Sequence, residues 1–489
     1  MIITLKCLKD INLTPLPHQL TTARRVIEQM DGRAILADEV GLGKTIEAGL
    51  VLKEYLVRGL VKKFIILVPA SLGFQWTSEM VDKFKIEKIF FNRKGRGWAY
   101  FDYQIASLDM AKRRQHARFL QDIDFDMVIV DEAHHLKNSQ TLNWKFVNSL
   151  NTRYCLLLTA TPLQNNIREL YNLISIVDDS LYRDFRDFKA RYFEEKNDRQ
   201  YVIDSQQLEG DLGELMIRNN HRDTLLKFTR RNIHQILVEL TPEERELYKK
   251  VTDYVRGKYL KRQGRKKCIL DLLTYQRELC SSVFALQKTL ARKEDKNSGL
   301  KEIYQLSLKI KSSAKGSRVL EILQEIKSQV IIFTEYRATQ SYLAHYLEKQ
   351  GFSTILFNGG ISAAGKEWIK EIFRRQKEIM ISTEAGSQGL NLQFVSTIIN
   401  YDLPWNPMKL EQRIGRIHRL GQTRDVDIYN LATANTIEER ILKILYRKIF
   451  LVKEVIGDLE AVLLDTARGK GFQGNIMEIL MEDEAQNSL

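Results

Sequence analysis

Ile35-Leu36-Ala37-Asp38-Glu39-Val40-Gly41-Leu42-Gly43-Lys44-Thr45 is the stretch on which the reading of this chain turns. A short apolar run, Ala34–Ala37, stops at a turn with two glycines, and a helical pattern opens behind it from Ile46 to Tyr55. Glycine at 41 and 43 lets backbone N–H groups converge, and the helix N-terminus adds its positive dipole end. A strand, loop and helix in this order form a cradle for phosphate oxygens. Lys44 is expected to reach the β- and γ-phosphates, and the Thr45 hydroxyl to ligate Mg2+. The general phosphate-loop pattern has glycine where this chain has Asp38, so the match is incomplete.

A second half-site follows on a second strand. Met127-Val128-Ile129-Val130 reads as a buried strand that ends in Asp131-Glu132-Ala133-His134. Ligands of open parallel sheets bind beyond the C-terminal strand ends. Asp131 is there placed to hold Mg2+ through water. Glu132 is placed to orient and deprotonate the water that attacks the γ-phosphate of ATP. A plain acidic surface turn is the competing reading, and the presence of Lys44-Thr45 upstream weakens it. Upstream again, Leu16-Pro17-His18-Gln19 precedes a helix. The Gln19 amide can donate to and accept from an adenine edge, or serve as a helix-cap residue.

Outward from these two sites the chain repeats one rhythm. Phe64–Val68 and Tyr154–Leu158 join the two strands above in a first α/β segment. Val330–Phe333, Ser353–Phe357, Ile379–Ser382, Thr397–Asn400 and Asp427–Leu431 mark a second. Short apolar runs separated by helical patterns indicate parallel sheets covered on both faces. The expected fold class is therefore α/β, twice. Domain limits are expected at 1–180, 181–312, 313–445 and 446–489. The second span is rich in Lys, Arg, Glu, Leu and Tyr and reads as a helical insertion. Thr241-Pro242-Glu243-Glu244 is a good helix start within it. Its basic run, 256–267, fits a nucleic-acid clamp and equally a solvated helix face. The last span reads as a helical tail.

Bulk properties agree. A chain of 489 residues exceeds one compact core and fits two to four domains. No apolar run reaches the roughly 18 residues of a membrane span, and MIITLKCLKD lacks the pattern of a secretory signal. Cys7, Cys155, Cys268 and Cys280 are scattered, which is expected of reduced thiols in a cytoplasmic protein. A net charge of +13 fits a polyanionic partner, and also a merely solvated basic surface.

At this point the sequence resembles the superfamily-two helicases, and among them the Swi/Snf family of double-strand DNA translocases. The resemblance covers about residues 13 to 445 and rests on an ordered series of motifs. The first segment carries Pro17-His18-Gln19, ADEVGLGKT at 37–45, LVPASLGFQW at 67–76, DEAHHLKN at 131–138 and LLLTATPLQNNIRELYNL at 156–173. The second carries IIFTEY at 331–336, FNGG at 357–360, STEAGSQGLNLQ at 382–393, YDLPWNP at 401–407 and EQRIGRIHRLGQ at 411–422. Details such as ADEVGLGKTIEAG look closest to a prokaryotic branch, which includes the bacterial ATPase that recycles RNA polymerase. Position 384 departs from the family, with Glu384 where arginine is common.

The resemblance implies two tandem RecA-like P-loop domains, ATP and Mg2+ as cofactors, and non-sequence-specific contacts to duplex DNA. It implies that Arg416 and Arg419 are arginine fingers on the γ-phosphate; their spacing of three would put both on one helical face. A basic helix facing DNA phosphates is the other reading of that pair. Gln412 is implied to sense the nucleotide or the lobe interface. Thr159, Ala160 and Thr161 are implied to couple hydrolysis to lobe movement. Ser71, Gln75, Thr383, Asn391 and Trp405 lie in motifs that line the nucleic-acid track, with a buried anchor as the other reading of Trp405.

Three functions compete on these residues. One is an ATP-dependent translocase on double-stranded DNA that remodels or displaces bound proteins. The second is a strand-separating DNA or RNA helicase, for which no pin-like hairpin or winged-helix segment is evident. The third is a non-catalytic scaffold with a decayed ATPase, against which Lys44, Asp131, Glu132, Arg416 and Arg419 all stand. With no targeting module evident, a protein partner is expected to direct the motor, in a prokaryotic or phage setting.

Overall fold

The computed structural model describes residues 4–162, 167–196, 199–203, 205–220, 228–261, 266–292, 298–361, 363–383 and 392–445. The expected tail at 446–489 lies outside them, as do Glu384, Asn391 and residues 262–265 of the basic run. Two compact units result, one reaching to Leu226 and the other beginning at Lys227.

The first unit opens with helix α1 (Pro17–Gln29), β1 (Arg33–Leu36) and α2 (Lys44–Val57). After β2 (Phe64–Val68) come α3 (Gly73–Asp82), β3 (Phe90–Asn92), β4 (Tyr103–Ser107), β5 (Phe125–Val130) and β6 (Thr152–Leu158). Further along are β7 (Phe193–Lys196), β8 (Arg199–Val202) and β9 (Met216–Ile217). Seven of these strands form one sheet in the order β3-β4-β2-β5-β6-β1-β9, with every neighbouring pair parallel. Successive side chains leave a strand on opposite faces. Val128 and Val130 accordingly enter one core with Ile35, Ile65 and Leu157. Met127 and Ile129 enter the other with Leu36, Ile66 and Leu156. Burial on both faces is why these strands read as unbroken apolar runs.

The second unit holds β10 (Arg231–Val238), β11 (Val330–Thr334), β12 (Thr354–Phe357), β13 (Ile379–Thr383), β14 (Thr397–Asn400) and β15 (Val426–Thr433). They form a six-stranded parallel sheet in the order β10-β15-β14-β11-β13-β12. Its two faces are again separate cores, one with Ile331, Phe333 and Met380 and one with Val330, Ile332 and Ile381. The expectation of two α/β domains with parallel sheets is met.

The span 181–312 differs from its expected form, because it is neither wholly helical nor a separate body. Its first part belongs to the first unit and contributes β9 beside β1, together with an antiparallel hairpin, β7-β8. Its remainder belongs to the second unit and contributes β10 beside β15. β9 is only two residues long, and the outer strand β10 is mostly exposed without alternation, so neither has a clear strand pattern. The helices that follow β10 do match the expectation. Thr241 and Glu244 cap the first of them reciprocally, Glu244 N–H donating to Thr241 Oγ1 at 3.2 Å and Thr241 N–H to a Glu244 carboxylate oxygen at 3.1 Å. Leu247, Val251, Leu279, Val283 and Leu286 then build a core of their own. No helix among the described residues is long and apolar enough to cross a membrane.

Candidate active site

Sheet order brings the predicted residues of the first unit together. β6 lies between β1 and β5, so the phosphate loop, Thr159 and Asp131-Glu132 all follow the C-terminal ends of three adjacent strands. Gly41 and Gly43 both have φ of +97°, a left-handed conformation that glycine adopts without strain. Gly43 is also the cap of α2, whose first two residues are Lys44 and Thr45. The Lys44 ammonium folds back on the loop and donates to the carbonyls of Asp38 at 2.6 Å and Glu39 at 3.3 Å. Phosphate oxygens offer the same ammonium a stronger, charge-assisted set of acceptors.

Asp38, which breaks the general loop pattern, has a positive structural role. Its side chain is fully buried and accepts from Asn219, at the end of β9, through the backbone N–H at 2.8 Å and through Nδ2 at 2.9 and 3.1 Å. Asn219 Nδ2 also donates to Thr22 Oγ1 on α1 at 3.0 Å, and Glu39 N–H donates to Asn219 O at 3.1 Å. A glycine at 38 could not tie the loop to its neighbouring strand in this way. Asn219 carries no motif, and its partner is far away in sequence.

Two further side chains crowd the same place. His18, Asp38 and Glu47 bring one potential ligand atom each to within 4.8 Å of one another. Burial, and then the neighbouring Asp38 charge, push the Glu47 carboxyl well above its usual range. Lys44 and a hydrogen bond from Thr22 oppose that rise. Gln19 is more constrained than its sequence implied. It is buried, its Oε1 accepts from Leu16 N–H at 3.0 Å, and its Nε2 donates to Leu42 O at 2.9 Å. Its amide thus braces the phosphate loop in this structure.

Asp131 and Glu132 sit on a strained turn, since Glu132 has φ of +51°. Asp131 Oδ1 accepts from Glu132 N–H at 2.7 Å and Oδ2 accepts from the Trp76 indole N–H at 2.8 Å. Burial first and the Glu132 charge second raise the Asp131 carboxyl to about 6, with both hydrogen bonds and Lys44 opposing the rise. Each oxygen keeps lone pairs free of these bonds. A carboxylate of this kind, within electrostatic reach of Lys44 on the phosphate loop, is a donor suited to a hard divalent cation. Glu132 Oε2 lies 3.0 Å from His134 Nδ1, and the His134 ring packs against His135 at 4.2 Å. Thr159 is buried, and its Oγ1 accepts from Thr161 N–H at 3.1 Å; Thr159 N–H donates to Leu36 O at 3.0 Å, tying the coupling segment to the loop strand. Ala160 lies between them, half-buried.

The two residues of this unit expected to line a nucleic-acid track follow β2, at the same end of the sheet. Ser71 and Gln75 are half-buried at the start of α3, and Gln75 Nε2 donates to Glu79 Oε1 at 2.8 Å. In the second unit Thr383 is buried at the end of β13, and Asn391 falls outside the described residues. Trp405 is half-buried under the Arg277 guanidinium, 4.4 Å from its ring centroid, which favours the anchor reading. Of the basic run, Lys258 rides over the Tyr254 ring at 5.6 Å.

One helical expectation fails in the arginine segment. The helix Pro407–Ile414 carries Gln412 half-buried, but it ends before the arginines, with Gly415 as its cap. Arg416 and Arg419 stand on the turns that follow, so their spacing does not place them on one helical face. Arg416 is buried, its carbonyl accepting from Leu392 N–H at 3.0 Å, while Arg419 Nε donates to Gly415 O. Arg413, which sequence reasoning passed over, is the structural member of the series: it is buried and donates to Asp402 O at 2.6 Å and Asn400 Oδ1 at 3.3 Å. Arg231, the first residue of β10, donates to Glu411 at 2.8 Å and to His418 Nδ1 at 3.1 Å, holding the segment from outside.

Comparison with known proteins agrees with this architecture. The SNF2-related domain family matches residues 18–327, and the helicase conserved C-terminal domain matches 314–421. The uncharacterized ATP-dependent helicase YqhH of Bacillus subtilis (strain 168) is 43% identical over 488 residues, covering 98% of this chain and 86% of that protein. The RNA polymerase-associated protein RapA of Klebsiella pneumoniae (strain 342) is 28% identical over 460 residues. This chain is matched over 85% of its length there but spans only 47% of the relative's. Among solved structures, the Sulfolobus solfataricus SWI2/SNF2 ATPase core in complex with dsDNA aligns at 20% identity and a TM-score of 0.44, covering 95% of this chain and 97% of that one. With a family match across most of its length and a loop, acidic pair and coupling segment on adjacent strands, the chain belongs to the SNF2-related family and is a helicase-type ATPase.

Proposed function

We propose that the protein is an ATP-dependent translocase on double-stranded DNA that remodels or displaces DNA-bound proteins. The observation that carries this reading is the alignment of Lys44, Asp131-Glu132 and Thr159 on adjacent strand ends, in a chain of SNF2-related type. The name of the Klebsiella relative, RNA polymerase-associated, supports a protein partner, and transcription machinery is one class of target.

In this reading Lys44 exchanges the loop carbonyls for phosphate oxygens, and Glu132 leaves His134 to orient the attacking water. Thr45 and Asp131 would hold a Mg2+ ion, which would neutralise charge on the phosphates. Arg416 and Arg419 provide cations for the charge that spreads over the transferred phosphoryl group. Loss of the γ-phosphate weakens that attraction, and Thr159–Thr161 relay the change to the lobes. The motifs that hold Ser71, Gln75, Thr383 and Asn391 line the track, which grips backbone phosphates without reading sequence, and Trp405 anchors its motif from within. A cytoplasmic, nucleoid-associated location belongs to the same reading.

One observation favours the second reading, strand separation. The antiparallel β7-β8 hairpin is an addition to the sheet domain of the kind that can split a duplex. A labelled duplex with and without a bound roadblock decides between the two. Roadblock removal with the duplex left intact is the expected result. Strand displacement on bare duplex overturns the translocase reading.

A further inference from the structure

Trp76 has no role in the site as described so far, yet it touches the residue on which metal binding turns. It lies on α3, is 1% exposed, and packs in the core that holds Met80, Phe84 and Ile86. Its indole N–H is aimed out of that core at Asp131 Oδ2, 2.8 Å away.

Three properties give the contact a direction. An indole N–H can only donate, so its favoured partner here is an ionised carboxylate. The ring is fixed by packing on all sides, so it cannot follow Asp131 if the carboxylate swings. The other oxygen, Oδ1, is held by Glu132 N–H at 2.7 Å. With one rigid donor on each oxygen, rotation of the carboxylate plane is stopped and the remaining lone pairs point in a set direction. Groups that orient a ligand from behind are characteristic of metal sites.

We infer that Trp76 is a positioning residue, whose indole N–H aims Asp131 at the divalent cation that accompanies the nucleotide. The inference rests on the reading of Asp131 as a metal ligand. It also joins the metal to α3, because Gln75 precedes Trp76 on that helix and Ser71 stands just before it. The competing reading is that Asp131 merely satisfies a buried indole N–H, in which case metal affinity does not depend on the contact.

The test uses the full chain with Mn2+ as the probe, titrated in the presence of ADP and followed by electron paramagnetic resonance. Trp76→Phe keeps an aromatic ring and removes the donor. Its Mn2+ affinity is expected to fall roughly 10–100-fold, while ADP binding in EDTA stays as in the wild type. Site-specific replacement of Trp76 by benzothienylalanine keeps the two-ring shape without an N–H, so it separates the hydrogen bond from packing even if Trp76→Phe folds poorly. A benzothienylalanine protein that binds Mn2+ as tightly as the wild type overturns the inference. Asp131→Asn serves as the control: unchanged Mn2+ affinity in that variant overturns the metal reading of Asp131, and this inference with it.

Discussion

Asp38 and Asn219, 181 positions apart, are joined by three hydrogen bonds, so the phosphate loop is held by a strand from the far end of its own unit. Asp38→Gly would restore the general loop pattern, yet it removes a buried, charge-assisted attachment. The expected result is a loss of about 1–3 kcal/mol of first-unit stability together with weaker binding of a non-hydrolysable ATP analogue. Asn219→Ala should cost a similar amount. The double variant should cost clearly less than the two single losses combined, because both remove the same contact. Chemical denaturation of the four proteins checks this; strict additivity would refute it.

Gly43 meets Gln19 at close range. A Cβ at 43 would lie 2.5 Å from Gln19 Nε2, on a backbone with φ of +97°. Gly43→Ala is expected to abolish nucleotide binding and lower the melting temperature. Adding Gln19→Ala removes the collision and leaves the backbone strain of about 1–2 kcal/mol, so only part of the stability should return. Full recovery in the double variant would show that the left-handed backbone is not required.

A buried cation holds the second unit together. Lys315, 1% exposed, donates to Glu438 at 2.6 and 2.8 Å and lies 3.7 Å from Asp402, while its ammonium sits 4.9 Å from the Tyr401 ring. Lys315→Met should destabilise this unit by about 3–5 kcal/mol, since it strands two carboxylates in a buried site. Glu438→Gln added to it should restore part of the loss. Urea unfolding of the three proteins measures both effects.

Alkaline pH should loosen the first unit through Cys155. Burial raises this thiol from 9.0 to about 11. A raised folded-state value means that stability is fully present below pH 9 and is lost as pH climbs from there toward 11. The slope from this group is at most about 1.4 kcal/mol per pH unit. Cys7, pushed up to about 12 by burial, adds to the same trend. Cys155→Ala should flatten the pH dependence of unfolding above pH 9 while lowering stability at neutral pH. An unchanged slope would count against the assignment.

Much of this was legible in the residues alone, and the exceptions share a cause. Phe64–Val68 and Ile379–Ser382 read as strands because a parallel strand buried on both faces is a continuous apolar run. Lys44, Asp131 and Glu132 stood out because the geometry they need is local. Trp76, Asn219 and Arg231 escaped notice because their partners lie 55, 181 and 180 positions away, and no spacing rule marks a pair at that range. β9 and β10 escaped for a related reason, being strands whose place is set by the neighbour they join. The helical reading of Arg416 and Arg419 failed because a correct local period was extended past Gly415, where the helix stops.

The two outer braces, Asn219 on the phosphate loop and Arg231 on the arginine segment, flank the point where the chain leaves one unit for the other. Asn219 closely follows the strand at the edge of the first sheet, and Arg231 opens the strand at the edge of the second. Each loop is thereby moored to the outermost strand of its own sheet, so peeling that strand away would release the loop while the centre of the sheet stays whole.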